Sequence, residues 1–346
     1  MQKIVYTNDV SGAITAFVSE MAPASVHIIT DTNVKNAVLP RLGLDFPFIT
    51  VEPGDDNKNL DSLSRIWSGL ISQGATRKSL IINIGGGVVT DMGGFAAATF
   101  KRGLRFINVP TTLLSAVDAA VGGKTGINFE GLKNEIGAFA QADAVVISTI
   151  LFSSLPKTEL LSGYAEMLKH GLLSSADSYA SLLKFDILNA DLTRLLPLLE
   201  ESVRVKERIV TEDPSEKGIR RALNLGHTAG HAFEALAMHK GRPIPHGYAV
   251  AFGILVEMIL SHTLEGFPSE ELYLYASYLK EQGYGSPDIS CKDYEALVEY
   301  MHHDKKNDTP SRINFTLLSS PGVPLIDRTA PEAEILTALD IFRDLL

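Results

Sequence analysis

Two histidines four residues apart, His227 and His231, stand in the segment LNLGHTAGHAFE. On a helix that spacing turns both imidazoles to one side. A third, His246, follows the turn GRPIP and precedes another helical pattern, while Glu166 sits upstream in SGYAEMLKHG. Imidazole nitrogen and carboxylate oxygen are donors that zinc accepts, and a catalytic ion keeps one position open. Spacing alone does not decide which three of these four side chains would bind. Glu166 and Lys169 lie three apart on one helix face, an arrangement that usually marks a surface ion pair. Here Leu160, Leu161, Tyr164, Ala165 and Leu168 surround the pair and favour burial. A buried carboxylate requires a cation or a metal.

A second set of residues suits phosphate. Gly85-Gly86-Gly87-Val88-Val89-Thr90-Asp91 follows an apolar strand and leads into a helix. Glycines let the backbone approach a ligand closely, and open N–H groups at a helix start attract phosphate oxygens. The spacing is not GxGxxG, so the common dinucleotide fingerprint is absent. Pro110-Thr111-Thr112 ends another strand, followed by Asp118 and by Gly122-Gly123-Lys124-Thr125. The last four resemble the tail of a phosphate loop without its upstream glycine, which disfavours a P-loop ATPase. Lys124 is a candidate for an anionic oxygen, although lysines are mostly exposed structural residues. Lys133-Asn134, and the run His303–Asn307, are weak signals by themselves. Arg220 and Asn224 stand just before His227.

The elements that must position these groups fall into two patterns. Val26–Thr30, Phe46–Val51, Leu80–Ile84, Arg105–Val109 and Ala144–Ser148 read as strands, with helices at 58–73 and 91–101. Asp31 and Asn33 follow the first strand, and Gly54 and Asp55 follow the second. A nucleotide is expected there, beyond the carboxyl ends of parallel strands. Helical patterns then run from Pro156 and through 176–185, 190–212, 228–238, 247–265 and 269–282, before INFTLL near 313. The expected architecture is an α/β domain with a parallel sheet over 1–152 and a mainly α-helical domain over 153–346.

Composition narrows the function classes. The chain has 346 residues, 45% hydrophobic and 21% charged, with a formal net charge of −10. The negative balance argues against nucleic acid, which demands clustered Lys and Arg. It leaves room for an anionic small molecule held by a few local cations. No uninterrupted apolar run reaches the ~18 residues of a membrane span, and the N-terminus lacks a secretory pattern. The one cysteine, Cys291, fits a reducing compartment. These features point to a cytoplasmic protein with no membrane partner.

Taken together, IGGGVVTDMGGFAAATFKRGLRFINVPTTLLSAVDAAVGGKTGIN, LKNEIGAF, SGYAEMLKHG, LNLGHTAGHAFE and HGYAVAFG resemble the 3-dehydroquinate synthase family of sugar phosphate cyclases in order and spacing. The resemblance covers about residues 30 to 310. It implies a nucleotide-binding domain followed by a helical metal-binding domain, NAD and zinc as cofactors with cobalt able to substitute, and a homodimer. It matches the metal ligands to Glu166, His227 and His246, which leaves His231 for the phosphate or for proton transfer. It matches NAD contacts to Asp31, Asn33, the 53–58 loop with Gly54, Asp55 and Lys58, then Gly86, Gly87, Val88, Asp91, Thr111, Thr112 and Lys133. Substrate contacts fall on Arg102, Lys124, Asn134, Lys206, Arg220, Asn224 and Lys306, the last favoured over Lys305. Asp118, Lys169, Glu216 and His231 match catalytic positions, and Arg102 would act across a dimer interface. Thr90 stands where the family usually has glycine, and NDTPSRINF after Lys306 lacks a glycine common there.

The implied reaction is conversion of 3-deoxy-D-arabino-heptulosonate 7-phosphate to 3-dehydroquinate and phosphate. Three alternatives compete. Another sugar phosphate cyclase, such as 2-deoxy-scyllo-inosose synthase, would take a substrate without a carboxylate, which Arg220, Asn224 and Lys206 disfavour. A metal-dependent polyol dehydrogenase would accumulate NADH. A non-catalytic relative would be expected to lose metal or proton-transfer residues.

Overall fold

Runs of consecutive apolar residues, without the alternation of a half-wetted strand, predict strands covered on both faces. The computed structural model, which describes residues 2–189, 191–303 and 312–346, bears this out. The chain divides into two compact units, Met1–Pro156 with Asp191–Val203, and Lys157–Ala190 with Arg204–Leu346.

The first unit runs β1 (Lys3–Tyr6), α1 (Val10–Met21), β2 (Val26–Asp31), α2 (Thr32–Ala37), α3 (Leu39–Leu42), β3 (Phe48–Val51) and α4 (Leu60–Ser72). It continues through β4 (Leu80–Gly85), α5 (Gly87–Thr99), β5 (Arg105–Pro110), β6 (Lys124–Phe129), β7 (Leu132–Phe139) and β8 (Ala144–Ile147). Six strands form a parallel sheet in the order β1-β8-β5-β4-β2-β3. Every residue of β2, β4 and β8 is buried. Asn83 and Asn108 sit opposite each other in β4 and β5, and Asn83 Nδ2 donates to Asn108 Oδ1 at 2.9 Å. This bond pairs the Asn83 amide N–H with the Asn108 oxygen inside an apolar sheet.

From β2 the chain moves outward to β3, then returns to β4 on the other side of β2 and continues to β5 and β8. The strand order therefore reverses between β2 and β4. Crevices at such reversals, beyond the carboxyl ends of the strands, are where open parallel sheets bind ligands. Asp31 ends β2 and Gly85 ends β4 at that point.

The second unit holds α6 (Lys157–Ser174), α7 (Ala176–Leu183), part of α8 (Leu192–Glu212), α9 (His227–His239), α10 (His246–Glu265), α11 (Ser269–Glu281), α12 (Tyr294–His302), the antiparallel pair β9 (Asn314–Ser320) and β10 (Val323–Thr329), and α13 (Glu332–Leu345). α6 is buried from Leu161 to Leu173 and α10 along most of its length. Among the described residues α10 alone is long and apolar enough to cross a membrane, but 78% of its apolar window is buried inside the protein.

Some elements differ from the sequence expectation. The helix expected at 91–101 begins at Gly87, so Asp91 lies in its second turn. β1, α1 and the β6–β7 hairpin were not expected. β7 is almost wholly exposed, so no buried apolar face marks it. The first half of α8 groups with the first unit, not with the helices around it in sequence.

Candidate active site

In the first unit, the glycine turn is shaped by close packing. A Cβ on Gly85 would lie 2.5 Å from Val89, and one on Gly86 would lie 3.1 Å from Thr112. Gly86 is the N-cap of α5 and offers no capping side chain. The first N–H groups of α5 are thus left for an acceptor from outside the helix. Thr90 is accommodated within this turn. It is buried, with its hydroxyl 3.2 Å from the Gly87 carbonyl and 3.2 Å from Ser115 Oγ.

Across the strand reversal, Asp31 caps α2 by accepting from Val34 N at 2.9 Å. Burial pushes its carboxyl above the ordinary value, and backbone N–H groups of Val34 and Asn33 partly oppose that rise. Thr111 Oγ1 is buried without a hydrogen-bond partner, while Thr112 Oγ1 accepts from Ser115 N at 3.1 Å. Asp118 lies in a π-helical turn, Ser115–Ala119, a local irregularity found often at functional sites.

Lys58 is buried, with Nζ 2.5 Å from Asp91 Oδ2 and 2.5 Å from Asn134 Oδ1. Asn134 adopts φ 53° and is steadied by Asn128 Oδ1, which accepts from its N–H at 2.9 Å. Gly54 has φ 98° and starts the turn that carries Asp55, whose carboxylate pairs with Lys133 at 3.3 Å. Lys124 is exposed at the start of β6, and Val88 lies in the first turn of α5. Arg102 is exposed in a run of left-handed backbone, with Lys101 at φ 49°, Arg102 at 69° and Gly103 at 116°.

In the second unit the helical ladder of α6 brings Glu166 and Lys169 to one face, both buried, and Lys169 Nζ contacts Glu166 Oε2. Glu166 Oε1 is buried without a hydrogen-bond partner. Its Oε1 lies 3.6 Å from His227 Nε2 and 3.8 Å from His246 Nε2. One donor atom from each of Glu166, His227 and His246 lies within 4.8 Å of the others. His227 Nδ1 is 3.2 Å from the Leu225 carbonyl, and His246 Nδ1 is 3.3 Å from Glu234 Oε2. The Leu225 carbonyl can only accept, as can the Glu234 carboxylate when ionised, so Nδ1 of each ring is placed to donate and Nε2 is the atom that faces Glu166. A buried carboxylate oxygen without a hydrogen-bond partner, facing two imidazole Nε2 atoms, fits a divalent cation such as zinc. His231 packs against both rings, 5.4 Å and 6.0 Å between centroids, outside this donor group.

Arg220 and Lys206 are buried. Arg220 Nη1 donates to the Pro214 carbonyl at 2.9 Å. Its loop is organised by Asp213, which accepts from the N–H groups of Lys217, Gly218 and Arg220 at 3.1, 2.7 and 3.2 Å. Burial alone would raise this carboxyl, but the three backbone donors together hold it below the ordinary value. The same loop places Glu216, at φ 58°, with Oε1 3.5 Å from Asn224 Nδ2. Lys306 lies outside the described residues. Asp213, Glu234 and Glu257 were not singled out from the sequence. Only the seven-residue interval from His227 to Glu234 on one helix could have drawn attention to any of them.

Comparison with known proteins identifies the family. The family description 3-dehydroquinate synthase N-terminal matches residues 48–162, and 3-dehydroquinate synthase C-terminal matches 163–307. A 3-dehydroquinate synthase of Parabacteroides distasonis is 49% identical over 99% of this chain and 98% of its own. One from Leptospira interrogans is 38% identical over 91% of this chain and 88% of its own. A solved 2-deoxy-scyllo-inosose synthase, complexed with carbaglucose-6-phosphate, NAD+ and Co2+, shares the fold with a TM-score of 0.84. It is 23% identical, covering 99% of this chain and 96% of that one. The motifs, the two units and these matches place the chain in the 3-dehydroquinate synthase family.

Proposed function

We propose that this protein converts 3-deoxy-D-arabino-heptulosonate 7-phosphate to 3-dehydroquinate and phosphate, with NAD and a divalent metal ion, zinc or cobalt, as cofactors. The observation that carries this reading is the convergence of Glu166 Oε1 with the Nε2 atoms of His227 and His246. When bound, the ion supplies Lewis acidity toward substrate hydroxyls and NAD supplies reversible hydride transfer, so turnover leaves no net redox change.

The chain's own residues bind and orient. Glu166, His227 and His246 would hold the ion. Lys169 balances the buried Glu166 charge, which leaves the site net positive once a divalent cation is present. That sign suits a substrate carrying both carboxylate and phosphate. The guanidinium of Arg220 matches a carboxylate in planar, two-point fashion, with Lys206 and Asn224 contributing nearby polar contacts. Lys124, Asn134, His231 and Lys306 would hold the phosphate, joined by Arg102 from the second copy in a homodimer. Asp118 would orient a substrate hydroxyl or water, and Glu216 would serve proton transfer. NAD would lie at the strand reversal, its pyrophosphate over Gly86, Gly87 and Val88. Asp31, Asn33, Gly54, Asp55, Lys58, Asp91, Thr111, Thr112 and Lys133 would complete its site. Much of the rate enhancement would come from orientation, because the departing phosphate can itself accept the proton. We place the enzyme in the cytoplasm as a biosynthetic catalyst, with a domain boundary at about residue 152.

The test is phosphate release from the heptulosonate phosphate, with and without chelator, while absorbance of NADH is followed. Chelator-sensitive release without NADH accumulation is expected. Preference for glucose 6-phosphate, or stoichiometric NADH, would overturn the assignment.

A further inference from the structure

α9 and α10 run past each other in opposite directions with almost no gap. A Cβ on Gly253 would lie 2.0 Å from the Gly226 carbonyl oxygen, and one on Gly230 would lie 2.9 Å from the Ala249 carbonyl oxygen. Each helix begins with a proposed metal ligand, His227 on α9 and His246 on α10. Each also carries a carboxylate two or three turns further along, Glu234 on α9 and Glu257 on α10.

These carboxylates address the opposite helix. Glu234 Oε2 lies 3.3 Å from Nδ1 of His246. Glu257, fully buried, accepts from Gly226 N at 2.6 Å and lies 3.4 Å from Ala229 N. Gly226 is the N-cap of α9, in left-handed conformation at φ 78°, and has no side chain to cap the helix that starts with His227. Glu257 supplies that missing cap from the neighbouring helix. A carboxylate there satisfies open N–H groups and meets the positive end of the helix.

Resting on the metal reading above, we propose that Glu234 and Glu257 are a reciprocal pair of positioning residues. Glu234 fixes the ring and tautomer of His246, and Glu257 fixes the backbone from which His227 projects. Each helix thereby anchors the ligand at the other's start. Neither residue contacts substrate in this scheme. Partners that hold a ligand's second ring nitrogen also raise its basicity, and their loss weakens metal binding about 10–100-fold.

The experiment measures zinc affinity by chelator competition, and the visible spectrum of the cobalt form, for intact protein and for Glu234→Ala, Glu234→Gln, Glu257→Leu and Glu257→Gln. Apo-protein thermal melts run alongside. Glu234→Ala should weaken zinc about 10–100-fold and alter the cobalt bands with little change in the apo melt, and Glu234→Gln should recover part of the loss. Glu257→Gln keeps one acceptor for Gly226 N and should lose less affinity than Glu257→Leu. If Glu257→Leu does not fold, Glu257→Gln alone must still shift zinc affinity and the cobalt bands. Unaltered zinc affinity and cobalt spectra in both Gln variants and Glu234→Ala, with intact protein binding zinc normally, would overturn the proposal. Failure of the intact protein to bind zinc would instead overturn the metal reading beneath it.

Discussion

Lys58 Nζ lies 2.5 Å from Asp91 Oδ2 and holds Asn134 Oδ1 at the same distance. One buried ammonium thus ties the loop after β3 to the second turn of α5 and to β7. Removing one partner of a buried ion pair destabilises by about 3–5 kcal/mol, because the other charge stays in place. The Asp91 side chain keeps 18% exposure, which lowers the expectation for Lys58→Met to about 2–3 kcal/mol. NAD affinity should fall with it, since this lysine sets the path of the loop carrying Gly54 and Asp55. Urea denaturation and NAD titration check the two effects.

Glu166→Gln and His246→Ala should each remove zinc binding and turnover. Direct donors contribute more than the outer partners that give 10–100-fold effects, so affinity losses beyond ~100-fold are expected. Metal analysis after gel filtration measures this. Full activity of a metal-stripped His246→Ala protein would end the assignment.

Gly253→Ala introduces a Cβ 2.0 Å from the Gly226 carbonyl oxygen, a backbone atom that cannot rotate away. Over-packing of this kind typically destabilises by about 1–3 kcal/mol. The helices must separate, so zinc affinity should fall even where the protein remains folded. Thermal melts and chelator competition distinguish the two consequences.

Asp31→Asn should stabilise the apo-protein at neutral pH. Burial raises the Asp31 carboxyl above its ordinary 3.8, so the folded state holds the proton more tightly than the unfolded chain. The contribution is favourable below the unfolded value and is lost as pH rises through the folded one, above which the ionised group is poorly solvated. The amide oxygen can still accept from Val34 N. The advantage of the variant should shrink as pH falls toward 3.8 and below. Melts across pH test the sign, and NAD titration should reveal weaker cofactor binding.

Arg220→Ala should raise KM more than it lowers kcat. A hydrogen bond to a charged group contributes about 1.5–3 kcal/mol, equivalent to about 10–100-fold in affinity. Steady-state kinetics on the heptulosonate phosphate measure the split. An unchanged KM would remove the carboxylate role.

Much of the fold was legible where local pattern and burial agree. Apolar runs located β2, β4, β5 and β8, because strands covered on both faces leave little polar punctuation. β7 escaped because nearly all of it is exposed, and the start of α5 was placed four residues late because its first turn begins within the glycines. At the site, HxxxH brought His227 and His231 to one side, but helix spacing could not choose between them. That choice depends on where α6 and α10 deliver Glu166 and His246, which are distant in sequence. Glu257 was invisible for the same reason. Its partner is the backbone of Gly226, and a backbone N–H has no signature in the amino-acid alphabet.

α10 is both the most apolar long helix and the one whose first residue would touch the ion. A helix buried along most of its length should be among the last segments to open in hydrogen exchange. His246 therefore projects from the tip of a stiff rod whose far turns are locked in the interior. Losing the ion should loosen the tip and leave the rod intact, so that empty protein keeps its shape and can be reloaded without refolding.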